Sequence, residues 1–259
     1  MRRTTLTAGL IAIALWGGGP IRAAGQLTTD HGASIIIFPK VVADGTWDTV
    51  IQIANEEDVL TLAHCFYVNG AAVFPDQPLG PLNPPQWAVI DFDIALTNLQ
   101  PTHWLASHGR LDDPTDPNCR TTELPNCDGA GLDPGPVPPL PPGFRGELVC
   151  FEVAPAGFPT SGNHLVGLGT LLHLSSGDVA KYNAIGARGL DANNNDHVLC
   201  LGGSPTEQCP NGAEYDACPD TWILNHLADG APDPLGGTAV ATSITVVPCA
   251  HDLEHQSPG

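Results

Sequence analysis

Trp87-Ala88-Val89-Ile90-Asp91-Phe92-Asp93-Ile94-Ala95-Leu96 is the stretch whose reading decides the fold. Ala88, Ile90, Phe92, Ile94 and Leu96 fall on one face of an extended chain, and Val89, Asp91, Asp93 and Ala95 fall on the other. A period of two with acids on one side describes a half-buried β-strand. The same alternation predicts core-facing stripes in Leu62, His64, Phe66 and Val68, in Val149, Phe151 and Val153, in Val166, Leu168, Leu172 and Leu174, and in Val240, Ile244 and Val246. Ile35-Ile36-Ile37-Phe38 is apolar on both faces and reads as a strand covered on both sides.

Turn chemistry separates these runs. Asp44-Gly45 divides Ile35–Val42 from Trp47–Ala54, Asn55-Glu56-Glu57-Asp58 precedes Leu60–Val68, and Asn69-Gly70 ends that run ahead of a short segment, Ala72–Phe74. Asp-Gly and Asn-Gly supply the positive φ that tight hairpins need. Hairpins following one another up and down predict an all-β, antiparallel β-sandwich. Residues 111–145 interrupt the pattern with nine of the 26 prolines, which cannot donate to a ladder, so this is expected to be a Pro/Gly-rich surface insertion with polyproline-like parts. Gly202–Asp220 is a second break. Thr221–Ala228, in which Trp222, Leu224 and His226 alternate with Ile223, Asn225 and Leu227, reads as a further strand.

The start of the chain predicts where the protein acts. Met1-Arg2-Arg3 is a basic head, Leu6–Trp16 an apolar run of signal-peptide length, and small residues follow at Ala23-Ala24. Residues 1–23 are therefore expected to be a cleaved signal peptide, too short for a membrane span, and residues 24–259 a single domain that is secreted or periplasmic. Arg2-Arg3 raises twin-arginine export, but Thr5 stands where that motif prefers an aromatic residue, so the ordinary secretory route is expected. Cleavage removes three arginines and no acid, taking the formal charge from −19 to −22. Such a field disfavours nucleic acid and anionic lipid, and neither the signal nor the acidic tail His251–Gly259 provides a membrane anchor. The partners it leaves are other envelope or extracellular proteins, or further copies of the chain.

Eight cysteines enter that oxidising compartment. Cys119 and Cys127 are spaced for a local bridge, and Cys65 and Cys150 lie mid-strand in matching surroundings, His64-Cys65-Phe66 and Val149-Cys150-Phe151. Cys200, Cys209, Cys218 and Cys249 allow 200–209 with 218–249, or 209–218 with 200–249. With no C-x-x-C present, disulfides are expected in place of zinc or redox chemistry.

No cofactor is demanded. Calcium is the one candidate, through Asp191, Asn193 and Asn195 in Asp191-Ala192-Asn193-Asn194-Asn195-Asp196, whose alternate oxygens sit as in a calcium loop. The loop departs from that pattern at Asp196, where glycine is needed, and at Gly202, where glutamate is needed, and it also reads as a polar hairpin. The spacings of His103 with His108 and of His164 with His173 put each pair on opposite strand faces, and His64 is expected as a hydrogen-bonded core histidine. Asp91 and Asp93, about 7 Å apart on one strand face, have a spacing two catalytic carboxylates use, but solvated strand faces carry such pairs routinely. No G-x-S-x-G nucleophile motif occurs, and no catalytic residue is assigned.

Thr49-Val50-Ile51-Gln52-Ile53-Ala54-Asn55, within Gly45–Asn55, followed by Ala63–Gly70 with its Phe66-Tyr67-Val68-Asn69-Gly70 ending, resembles a pattern in a family of exported bacterial β-sandwich proteins, immunoglobulin-like or jelly-roll-like. Lys181-Tyr182-Asn183-Ala184 and Ala217-Cys218-Pro219 are similar to elements of the same group, and the likeness covers most of residues 34–250. It implies a fold and no activity. It also implies that related chains run on past the equivalent of Val246-Val247-Pro248-Cys249, making this a short or truncated member.

The sequence therefore predicts an exported structural or interaction module of the cell exterior, not an enzyme. One alternative is a calcium- or carbohydrate-binding module using the Asp191–Asp196 loop and exposed aromatics such as Trp104 or Trp222; another is a hydrolase without a recognisable motif.

Overall fold

The strand that is apolar on both faces organises the rest. In the computed structural model, which describes residues 27–70, 88–110, 135–190, 214–216 and 243–246, it is β1 (Ile35–Ala43). It is followed by β2 (Trp47–Asn55), β3 (Thr61–Asn69), β4 (Ala88–Leu96), β5 (Pro101–Leu105), β6 (Phe144–Val153), β7 (Leu165–His173), β8 (Val179–Asn183) and β9 (Ile185–Ala187). All strand pairings are antiparallel, and the described residues contain no helix. The all-β, antiparallel fold predicted from alternation is the one observed, and one of the disulfides expected from the cysteines is present in it.

β1 lies against β6 along one edge; its other edge meets β9 at Ile35–Ile37 and β2 at Ala43↔Asp48. β2 pairs along its whole length with β7, and its other edge passes from β1 at Asp48 to β5 over Val50–Ala54. Two strands cannot occupy one edge together, so β1 diverges from β2 beyond this junction. The strands form two wings, β4-β3-β6-β1-β9 and β5-β2-β7-β8. Pro39 lies where β1 leaves regular register: Phe38 faces Leu148 and Val41 faces Gly146, so Pro39 and Lys40 share the place opposite Glu147. A proline lacks the amide a central ladder needs, and a bulge is how a strand accommodates one.

A single core draws on both wings, with Phe38, Val41, Tyr67, Phe92, Ile94, Phe144 and Leu148 from one and Ile51, Ile53, Trp104 and Leu165 from the other. Trp104 donates its indole N–H to the Tyr67 hydroxyl at 2.6 Å, and its ring meets Phe92 edge-on at 6.1 Å. Burial pushes the Tyr67 phenol far above its ordinary range, so it serves here as a neutral hydrogen-bonding group. The opposite face of β1 and β6 carries a second cluster of Ile35, Ile37, Phe151, Ala187 and Tyr215. β1 is thus covered on both sides, and by its own chain, as its composition predicts.

Several expectations need correction. The core face of β3 is Thr61, Ala63, Cys65, Tyr67 and Asn69, while Leu62, His64, Phe66 and Val68 are half-buried on the other face. In β6, Val149, Phe151 and Val153 belong to the second cluster, and Phe144, Leu148 and Cys150 face the main core. In β7 the buried positions are Leu165, Gly169 and Leu171; Val166, Leu168 and Leu172 are half-buried and Leu174 is exposed. Counting aliphatic bulk selects the wrong face because the true core face uses a disulfide, a satisfied tyrosine and glycines under rings. A Cβ on Gly169 would lie 2.2 Å from the Tyr182 ring, and one on Gly167 2.4 Å from the Phe38 ring. Glycine inside a strand signals such close approach.

Ile244 and Val246 are exposed and outside any strand; Val240 lies outside the described residues. Nor do the hairpins run simply up and down. Asn55–Leu60 crosses between the wings, because both edges of β2 are taken, and β3 pairs with β4 and β6. The insertion expected on the surface over 111–145 ends earlier: Val137 and Leu140 are buried in the main core and β6 begins at Phe144. Residues 111–134, Ala72–Phe74 and Thr221–Ala228 lie outside the described residues.

Cys65 and Cys150 are bonded, directly opposite one another in the β3–β6 ladder, so the bridge ties strand to strand within one wing. The other six cysteines lie outside the described residues. The bridge closes a separation of 85 residues, and restriction of the unfolded chain contributes about 4 kcal/mol for such a loop. Replacing both Cys65 and Cys150 by alanine is expected to lower the thermal midpoint by about 10 °C in calorimetry. Trp104→Phe removes the donor to a fully buried hydroxyl and is expected to cost about 1–3 kcal/mol in denaturant titration.

Candidate functional site

Three connections converge at one end of the fold: 56–60 between β2 and β3, 97–100 between β4 and β5, and 154–164 between β6 and β7. Asn55 joins the first two. Its side-chain amide donates to the carbonyls of Val59 at 2.6 Å and Thr97 at 3.1 Å, and its oxygen accepts from the Glu57 amide at 3.0 Å. The Leu99 amide donates to the Glu57 carbonyl at 3.1 Å, and Asn98 donates to the Asp58 carboxylate at 2.8 Å. Gln100 accepts from both the amide and the hydroxyl of Thr97, closing the β4–β5 turn. Leu99 has φ +54°, a left-handed conformation that costs a non-glycine residue roughly 1 kcal/mol. Leu60 is 62% exposed and Leu99 63%, with Val59 at 47% and the acids Glu56, Glu57 and Asp58 exposed beside them.

A polar cluster supports these loops from below. Glu152, at the end of β6, is buried and contacts His164 Nδ1 through Oε1 at 2.9 Å; Thr61 Oγ1 lies 3.1 Å from the same nitrogen. The Asn163 amide donates to Ser34 Oγ, and Asn163 exchanges two side-chain hydrogen bonds with the backbone of Gly189, at 3.0 and 2.6 Å. The backbone carbonyl of His164 accepts from the Glu56 amide at 2.9 Å, linking the cluster to the exposed loops. Serine, glutamate and histidine lie together here, but the Ser34 hydroxyl is fully buried and within reach of Glu152 and Asn163. Nucleophilic catalysis needs the hydroxyl on the base and open to substrate, so the chemistry of this cluster is positional.

His64 and Asp93 form the second group. They face each other in register on β3 and β4, with Nδ1 2.6 Å from the carboxylate, and the His64 ring meets Phe66 edge-on at 4.4 Å. The expected hydrogen bond of His64 is present, but the residue is half-buried on the outer face and not in the core. Asp91 and Asp93 both project from the solvated face of β4, in agreement with the alternation. Asp93 is the one paired with the His64 imidazole, while Asp91 lies opposite Phe66 in the ladder.

The remaining candidates are dispersed. His103 and His108 are exposed on β5 and the turn after it, and His173 packs edge-on against Trp47 at 4.7 Å, away from His164. Trp104, expected as an exposed aromatic for carbohydrate, is buried at 3% exposure in the core; the indole is occupied by Tyr67. Asp191, Asn193, Asn195 and Trp222 lie outside the described residues. Among the described residues no group of three or more His, Cys, Asp or Glu is placed to hold a metal. Leu99 and the Glu152–His164 pairing were not singled out by the sequence, and Asn55 was read only as a turn and pattern residue. The available signal was the exposed pair Val59-Leu60 directly after three acids, which reads simply as a turn.

Burial pushes the Glu147 carboxyl above its ordinary range, while amide donation from Trp47, with Thr46 and Arg145, holds Asp44 below it. A raised carboxyl binds its proton more tightly in the folded state, so its contribution is favourable at low pH and is lost as the pH rises through the folded value. Glu147→Gln is therefore expected to be more stable than the parent at pH 7. The difference should close as the pH falls toward 4.5, the ordinary value, in melts followed across that range.

No protein-family model, no curated protein and no solved structure matches this chain.

Proposed function

We propose that this protein is an exported interaction module of the cell exterior, a β-sandwich that presents the loop end as its contact surface. The observation that carries the reading is the pairing of rigidity with exposure at that end. Asn55 fixes two loops to each other, and the loops hold apolar side chains in solvent, one of them at a positive φ. Binding residues commonly occupy loops at the end of a rigid scaffold for this reason. Two wings sharing one core support the sandwich, and the basic head with its apolar run supports export.

A photoreactive residue placed at position 60 tests the reading, with position 181 on the exposed strand β8 as control. In cells producing the full chain, discrete protein adducts are expected from position 60 alone, on a species lacking residues 1–23 and recovered outside the cytoplasm. Adducts from neither position, or a retained leader on cytoplasmic protein, would sink it.

A further inference from the structure

We propose that the loop end docks a cationic, amphipathic segment of another protein, with Leu60, Leu99 and Val59 meeting its apolar face and Glu56 and Glu57 its charges. This rests on the loop end being the contact surface and adds the chemistry of what it contacts. Leu60 and Leu99 are each more than three-fifths exposed, and the backbones that carry them are joined by the Leu99 amide to the Glu57 carbonyl and by Asn55 to both Val59 and Thr97. Leu99 occupies a left-handed position that glycine or asparagine fills without strain. Its side chain is mostly in water, so the fold recovers little of that strain through packing.

Charge selects the partner. From residue 41 to residue 109 the chain has no lysine or arginine and eight aspartates and glutamates. Glu56, Glu57 and Asp58 are exposed beside the leucines, and Asp58 is held by Asn98. A field of that sign steers cations inward and repels phosphate backbones and anionic lipid headgroups. Apolar contacts with acids along one side are complementary to an apolar face flanked by lysine or arginine.

The test titrates the full mature chain with a synthetic Leu/Lys amphipathic peptide, beside Ser/Lys and Leu/Glu peptides of equal length and phosphatidylcholine vesicles. Saturable binding of the Leu/Lys peptide alone is expected. Leu60→Ser with Leu99→Ser is expected to weaken it at least about tenfold, roughly the loss of one good apolar contact. Glu56→Gln with Glu57→Gln should weaken it and flatten its salt dependence, whereas Asp91→Asn with Asp93→Asn, on β4, should leave it unchanged. Leu99→Gly should bind more weakly while melting about 2 °C higher, because the strain is released. Binding that is insensitive to the leucines, or as sensitive to the β4 aspartates as to the loop acids, overturns the proposal. So does leucine-dependent binding to vesicles without peptide binding, which would place the tip at a membrane. Adducts at position 60 without Leu/Lys peptide binding overturn the cationic partner and leave the interaction module standing.

Discussion

β2 has two edges and three neighbours, and much of the architecture depends on how that competition is resolved. β7 takes one edge entirely, while β1 holds the other only at Asp48 before β5 replaces it. The divergence at this corner directs β1 toward β6 and β5 toward Tyr67, producing a core to which both wings contribute. The corner is built from local polar contacts. Thr49 exchanges hydrogen bonds with the backbone of Val42, and buried Asp48 accepts from the amides of Thr49 and Ser107 and from the Ser107 hydroxyl. A buried carboxylate is tolerable only with such donors.

The loop end is a product of the same arrangement. Since β2 has no free edge for β3, the chain after Asn55 must cross to the other wing, and Asn55–Leu60 is the crossing. One asparagine side chain then satisfies carbonyls on two connections, fixing the loops without a hairpin ladder. Underneath, Glu152, His164, Ser34 and Asn163 supply polar contacts where the starts of β3 and β7 meet the end of β6. Buried polar groups of this kind rigidify when their partners are all present.

How much of this was legible follows from what alternation measures. It reports where an extended chain changes face, so Asp91–Leu96 was readable residue by residue, although Ala88 proves exposed, and Ile35–Phe38 revealed its double burial. It does not report which face wins. For β3 the decision came from Cys65 and Tyr67, whose burial depends on Cys150 and Trp104, both distant in sequence. Pairing partners were equally hidden, since Asp44-Gly45 marks a turn but not the single rung of β1–β2 pairing that follows it. The cysteine pair 65–150, a part of the fold, was anticipated. The loop end was not, because exposed leucines and an asparagine that bonds to two connections carry no periodic signature.

β4 pairs only with β3 among the described residues, with Gly135 close to its Asp93 carbonyl. An open strand is a template for its own copies, and identical strands meeting antiparallel with their buried faces continuous align odd positions with odd positions. On β4 that brings Asp91 and Asp93 against the same carboxylates of the second molecule. The two aspartates that resemble a catalytic pair in the sequence would oppose such stacking, because like charges directly across a ladder repel.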